Sequence, residues 1–331
     1  MGSSSESVVR IMSAEEIVAG AGRVPDNFIW PDRRTWFLER VMRFKQLARN
    51  HPTAPYMELM SAIAQAQHEA LAEFPEVRLP DKAYLAESAK HGVAPLPAIE
   101  WQRDSAWRDA LHHIVNKVSH QYKGTEVEAV LQKLSNLSES ELETQADLIL
   151  AGSVSGLDVG AAPFIGAALQ VYWLHMISSS EELRSGSQYA SLNLDETANC
   201  PCCGCPPVAS VTHASAKVAG QRYLVCSLCG TQWNMVRIRC TRCFTEEGIT
   251  YMSLSAAETP DERAAKAAIQ AETCDSCNSY LKIMHTERDP SLDPFADDIA
   301  SIALDVLMSE NNKVKHGSNP MLVFASDTNT E

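Results

Sequence analysis

Cysteine is missing from most of this chain: none of the ten lies before Cys200 or after Cys277. A disulfide framework usually spreads along a small secreted domain. Confinement to one stretch of a 331-residue chain points instead to metal sites. Positive charge is also short, with 28 Lys and Arg against 42 Asp and Glu and a net charge of −14. Such a chain is repelled by nucleic-acid phosphates and anionic membrane surfaces unless it carries a strong local basic patch. The opening Met1-Gly2-Ser3-Ser4-Ser5-Glu6 has no basic stretch leading into an apolar one, so no secretory signal is expected. With reduced thiols, this favours the cytoplasm. Long apolar runs are scarce. The uncharged stretch from Gly160 to Ile177 is at the lower edge of bilayer-spanning length and contains Pro163, Gln170 and His175, so a buried core helix is expected and not a membrane span. There is no Gly-x-Gly-x-x-Gly, phosphate loop, Gly-x-Ser-x-Gly or His-Glu-x-x-His, and hence no candidate catalytic residue. His112-His113 has no second histidine pair at metal spacing.

What is present divides the chain in two. At 45% apolar residues it can bury a sizeable core, and its length suits two or three domains. Residues 1–195 predict an all-helical domain. Ser13 and Glu16 form a capping box ahead of a first helix that stops at Gly20. Helices follow over Thr35 to Asn50, Ala54 to Phe74, Trp101 to Val118 and Glu126 to Leu134, with a short one inside the proline-broken Pro80 to Pro97. Ser138 and Glu141 make a second capping box, and Pro163 opens the apolar helix. After Leu194 the pattern changes to strands: Val208 to Thr212, Gln221 to Val225, Gln232 to Arg239 and Tyr280 to His285. Pro260 to Ala271 fits a helix capped by Thr259, while Ile269 to Glu272 also fits a strand feeding Cys274. Asp293 and Pro294 begin a C-terminal helix with Phe295, Ile299, Ile302 and Val306 as its core stripe, and Thr328 to Glu331 is expected to fray.

Four Cys-x-x-Cys pairs follow in order, Cys200/Cys203, Cys226/Cys229, Cys240/Cys243 and Cys274/Cys277, the inner two lying closest together. A two-residue insert lets one tight turn present two sulfurs to one ion, and a tetrahedral ion needs two such turns. Four pairs therefore predict two four-thiolate sites. Cys202 and Cys205 form an interleaved Cys-x-x-Cys. A knuckle favours a residue after its second cysteine that adopts positive φ and donates an N–H toward sulfur. Gly204 after Cys203 does both, whereas Pro206 after Cys205 does neither. Cys200 and Cys203 are the expected ligands, with Cys202 and Cys205 spare. Gly230 follows Cys229 in the same way, but Phe244 and Asn278 follow Cys243 and Cys277, and phenylalanine tolerates positive φ poorly. Sequential pairing is expected, placing Cys200, Cys203, Cys226 and Cys229 on one ion and Cys240, Cys243, Cys274 and Cys277 on another. Nested pairing, which joins the two inner pairs, is the alternative. Zinc in such a closed shell is structural; iron makes it a one-electron site. Arg237, Arg239 and Arg242 around Cys240 either offset thiolate charge or form a partner-binding face.

Cys200-Pro201-Cys202-Cys203-Gly204 resembles the Cys-Pro-x-Cys-Gly knuckle of rubredoxins. The order of features over Cys200 to Pro320 resembles the formate dehydrogenase accessory protein family FdhE. The matching pieces are that knuckle, Arg222 to Cys229 with Trp233, Cys240 and Cys243, Cys274 to Cys277 with Tyr280-Leu281-Lys282, and Asp293 to Asp298 with Asn319-Pro320. Cys202 and Cys205 depart from the pattern at variable positions. The resemblance implies a helical domain at 1–195, rubredoxin-like or zinc-ribbon-type metal modules at 196–235 and 236–287, and a C-terminal helix and tail at 288–331. It implies a cytoplasmic accessory factor and not an enzyme, with iron favoured over zinc. It further implies that the partner is the catalytic subunit of respiratory formate dehydrogenase, bound before twin-arginine export. Competing expectations are an iron redox protein acting on the same enzyme and a zinc-ribbon binding module. The net charge disfavours nucleic acid as a ligand of the latter.

Overall fold

A computed structural model describes residues 26–185, 194–213, 220–254 and 267–323. The expected capping box at Ser13, the helix alternative at Thr259 and the frayed end lie outside these residues. The helical half contains α1 (Trp36–Ala48), α2 (Ala54–Ala72), α3 (Lys82–His91), α4 (Ala106–Ser119), α5 (Glu126–Ser135), α6 (Glu139–Leu150), α7 (Ala162–Ser179) and the short α8 (Glu181–Ser185). The predicted capping box opens α6: Ser138 accepts from the Glu141 N–H, and the Glu141 carboxylate accepts from the Ser138 N–H. The apolar stretch is α7, buried from Ala162 to Ile177 against α2, α4 and α6. No helix among the described residues is long and apolar enough to cross a membrane.

The second half is one mixed sheet. Its strands are β1 (Phe28–Ile29), β2 (Pro207–Thr212), β3 (Arg222–Cys226), β4 (Gln232–Met235), β5 (Ile249–Met252), β6 (Ile269–Cys274), β7 (Ser279–His285) and β8 (Val314–Lys315). The order is β1-β4-β3-β2-β7-β6-β5, with β8 alongside the start of β7. It contains the same unit twice: a knuckle, two antiparallel strands, a knuckle and a third strand. The units give β4-β3-β2 and β7-β6-β5, and they join where β2 pairs in parallel with β7, Ser210 opposite Ile283. The strand reading of Ile269 to Glu272 therefore holds. The expected strand over Gln232 to Arg239 stops at Met235. Beyond it Arg222 Nη1 donates to the carbonyls of Val236, Arg237 and Arg239, which draws them off the ladder.

The C-terminal segment bridges the halves. Asp293 caps α9 (Pro294–Ala300) as predicted, accepting from the Phe295 and Ala296 N–H groups. The helix then breaks at Ser301, whose hydroxyl donates to the Asp297 carbonyl at 2.6 Å, and resumes as α10 (Ile302–Glu310). The break rotates the apolar stripe. Leu304 and Met308 pack on Ala271 and Tyr280, while Val306 is 56% exposed and Ile302 only partly buried. From α1, Arg43 pairs with both oxygens of Asp297 at 2.7 and 2.8 Å, and buried Arg40 lies 3.8 Å from the Phe295 ring centre.

Candidate metal centres

The two knuckles of the first unit converge. Cys200 and Cys203 lie on the turn entering β2, and Cys226 and Cys229 on the turn between β3 and β4. Their sulfurs approach to 3.6 Å (Cys200 to Cys229) and 3.3 Å (Cys203 to Cys226), and all four lie within 4.8 Å of one another. In the second unit Cys240 and Cys277 approach to 3.6 Å and Cys243 and Cys274 to 3.7 Å, again with all four within 4.8 Å. Pairing is thus sequential and not nested. A disulfide needs sulfurs about 2.05 Å apart, and all ten cysteines are free. Metal–sulfur bonds of about 2.3 Å in a tetrahedron set sulfurs about 3.8 Å apart. Both cages fit that demand, and His112 and His113 belong to neither.

The turns share one backbone form. The Cys200 N–H reaches the Cys205 carbonyl, that of Cys226 the Thr231 carbonyl and that of Cys240 the Thr245 carbonyl, each five residues on, at 2.8–2.9 Å. The residue after the second cysteine has positive φ in every knuckle: Gly204 at 78°, Gly230 at 75°, Phe244 at 61° and Asn278 at 53°. The expectation for glycine holds. Phe244 adopts the same conformation without glycine's freedom, at a cost of about 1–2 kcal/mol. N–H groups of Leu228 and Cys229 point at Cys226 Sγ at 3.4 Å, and those of Arg242 and Cys243 at Cys240 Sγ at 3.4 and 3.5 Å. Cys202 and Cys205 are buried outside both cages, and Cys205 contributes the carbonyl that closes the first turn.

The surroundings differ. The helical half closes over the first cage on three sides. N–H groups of Leu96 and Ala98 donate to the Cys202 and Cys203 carbonyls at 2.9 and 2.8 Å. Gln170 of α7 donates to the Ser227 carbonyl at 2.8 Å and accepts from Gln67 and Arg40. Trp36 lies so close to Gly230 that an added Cβ would sit 2.9 Å from its ring. The second cage is held from the sheet and from the segment after α10. Buried Arg222 bonds the carbonyls leading into Cys240 and pairs at 2.7 Å with Glu272, just ahead of Cys274. Lys313 donates to the Cys274 carbonyl at 3.2 Å. Sequence reasoning named Gln170 as a polar break in an apolar stretch and Arg222 as a motif residue but assigned neither a role at the cages, although a charged or amide side chain within an apolar run was the available signal.

Burial pushes the Cys200, Cys203 and Cys226 thiols well above their ordinary range, whereas at Cys229 hydrogen bonds with Cys200, Cys203, Cys226 and Thr231 outweigh burial and hold the thiol well below it; shedding the remaining protons of that cage is favoured by exchange for a cation. Burial also raises Cys277, but hydrogen bonds with Ser279, whose hydroxyl lies 2.9 Å away, outweigh it and bring the thiol to about 7. Around the second cage Arg239 pairs with Glu246 at 2.7 Å and Arg242 is exposed, while the Arg237 guanidinium lies beside Gly220 and not at the cage.

The family models for FdhE match this chain in three consecutive parts: the N-terminal region at residues 25–184, the central domain at 199–237 and the C-terminal domain at 238–322. A protein named as an FdhE homolog from Cronobacter sakazakii is 33% identical over 95% of this chain and 97% of its own length. Protein FdhE of Escherichia coli K12 is 32% identical over 95% and 97%. The crystal structure of FdhE from Pseudomonas aeruginosa has a TM-score of 0.74 and 32% identity, covering 90% of this chain and 99% of its own.

Proposed function

Because this chain belongs to the FdhE family, we propose that it is a cytoplasmic, non-catalytic accessory factor for the assembly of active respiratory formate dehydrogenase. It acts by binding that enzyme's catalytic subunit. The observation that carries this reading is the pair of preassembled four-thiol cages, set in one sheet and clamped to a helical bundle. Cys200, Cys203, Cys226 and Cys229 hold one ion, and Cys240, Cys243, Cys274 and Cys277 hold the other. Iron is favoured by family membership, and zinc is the alternative. When bound, the ion neutralises thiolate charge and cross-links two turns of a thin module. Four protein ligands fill a tetrahedral shell and leave no position for a substrate. The chain's own part is to keep those turns in register and to present a rigid docking surface. Its modules divide at about residues 196, 236 and 288.

Anaerobic co-purification tests the partner, and formate dehydrogenase activity in cells carrying Cys226→Ser tests the role. The expected results are capture of the catalytic subunit by the parent chain and loss of enzyme activity in the variant. A subunit that does not associate, with activity unchanged, would overturn the reading. The N–H groups aimed at Cys226 and Cys240 favour a second reading, a rubredoxin-like iron centre that passes electrons to the same enzyme, because such bonds tune cluster potentials. A colourless, zinc-loaded protein from iron-replete cells removes it. The zinc-ribbon nucleic-acid reading is disfavoured by the net charge of −14.

A further inference from the structure

We infer that the second cage is a metal-exchange site, able to trade its ion with external thiol donors, whereas the first cage is closed to exchange. The inference rests on the proposal above that both cages hold metal. Replacing one ligand of a filled four-thiolate shell requires a sulfur that can leave and a donor that can reach the ion. In the first cage Cys200, Cys203, Cys226 and Cys229 are all at most 2% exposed. In the second, Cys240 and Cys274 are buried, but Cys243 is exposed and Cys277 partly so.

Cys243 is also the less tethered ligand. The carbonyl of its counterpart Cys203 is bonded by Ala98 from the helical half. The bonds that close the turn carrying Cys243 are local: Cys240 N–H to Thr245, Phe244 N–H to Cys240, and the Arg242 and Cys243 N–H groups to Cys240 Sγ. Phe244 is strained there at φ 61°, and opening the turn releases that strain. Glu246, Glu247 and Gly248 beyond it are exposed. Exposed Arg242, beside Cys243 in the knuckle, favours approach of an anionic donor, such as a carboxylate-bearing small thiol. The step balances without redox chemistry. The bond from the ion to Cys243 Sγ breaks as a bond to the incoming thiolate sulfur forms, and Cys243 takes up the proton the incoming thiol gave to solvent.

The full chain, loaded anaerobically with enough zinc to fill both cages, is challenged with a chromogenic chelator in the presence and absence of glutathione. The expected release has two equal phases, the faster at least about tenfold quicker and accelerated by glutathione. Cys243→Ser should delete the fast phase and leave the slow one. N-ethylmaleimide added during the fast phase of the parent chain should label Cys243 and Cys277 before any cysteine of the first cage. That order decides the matter even if the variant misfolds. Release at a single rate, or earlier labelling of Cys200 or Cys226, overturns the inference while both ions remain accounted for. A chain that takes up no zinc overturns the metal assignment itself.

Discussion

The first and second four-cysteine cages share spacing, turn geometry and N–H donors to sulfur, yet one is buried under helices and the other reaches the surface. Four cysteines at two-residue spacing determine how sulfurs meet. They do not determine what covers them. The cover on the first cage comes from the loop at Leu96, from Gln170 and from Trp36. The second is supported by a buried guanidinium, Arg222, reaching across from the neighbouring unit, and by Lys313 on the Cys274 carbonyl. The geometry of the first cage is therefore coupled to docking of the helical half, and that of the second to the sheet and the C-terminal segment.

The strongest break in that comparison is ligand loss on each side. Cys226→Ser should cost more than about 5 kcal/mol or prevent folding, because it dismantles a centre on which two halves pack. Cys243→Ser should cost less than about half as much, and paired denaturant titrations would show a gap or its absence. Next is Arg222→Ala, which leaves Glu272 buried without its cation and should cost about 3–5 kcal/mol. Metal analysis should find the second cage depleted and the first filled; equal depletion would mean that the cages are not separately supported.

A backbone pair sharpens the contrast further. Gly230→Ala forces a Cβ against Trp36 at positive φ and should destabilise by about 2 kcal/mol. Phe244→Gly relieves strain but loses a partly buried ring, so the net change should stay within about 1 kcal/mol. Thermal unfolding of both variants reads the difference. The smallest effect separates acid loss in the helical half from acid release of metal. Burial, and then the charge of Arg33, hold His175 down to about 4. Its folded pKa lies below the unfolded value, so the stability it contributes is complete above about pH 6.5 and fades as pH falls toward about 4. His175→Gln should flatten that acid dependence, measured as unfolding free energy against pH between about 6.5 and 4.

Much of this architecture was legible from residues alone. Ser138 with Glu141, Asp293 with Pro294, and the uncharged run of α7 each carry a local reason for their structure, and all three behave as that reason dictates. The membership of both cages followed from spacing, and the family from the motifs around them. What was hidden depends on distant partners. β1 is only Phe28 and Ile29, and it exists because they lie beside Trp233 and Gln232. β5 and β8 are also short and were not anticipated. Val306 sat in phase with Phe295 until Ser301 broke the helix, a local hydroxyl bond with a long-range effect. Phe244 shows the reverse: an unfavourable residue for its turn, held there because the cage and the sheet impose the geometry.

The parallel seam between β2 and β7 carries a consequence for synthesis. Ser210 and its neighbour Ile283 are separated by the whole of the second cysteine unit up to β7, so β2 leaves the ribosome long before that partner exists. The helical half and the β2–β3–β4 hairpins can form while translation continues, but one edge of β2 stays open until β7 emerges. During that interval the nascent chain exposes an unpaired, apolar strand edge, a hazard for pairing with other chains. Pausing or truncation before His285 should therefore yield aggregates and not a smaller soluble protein.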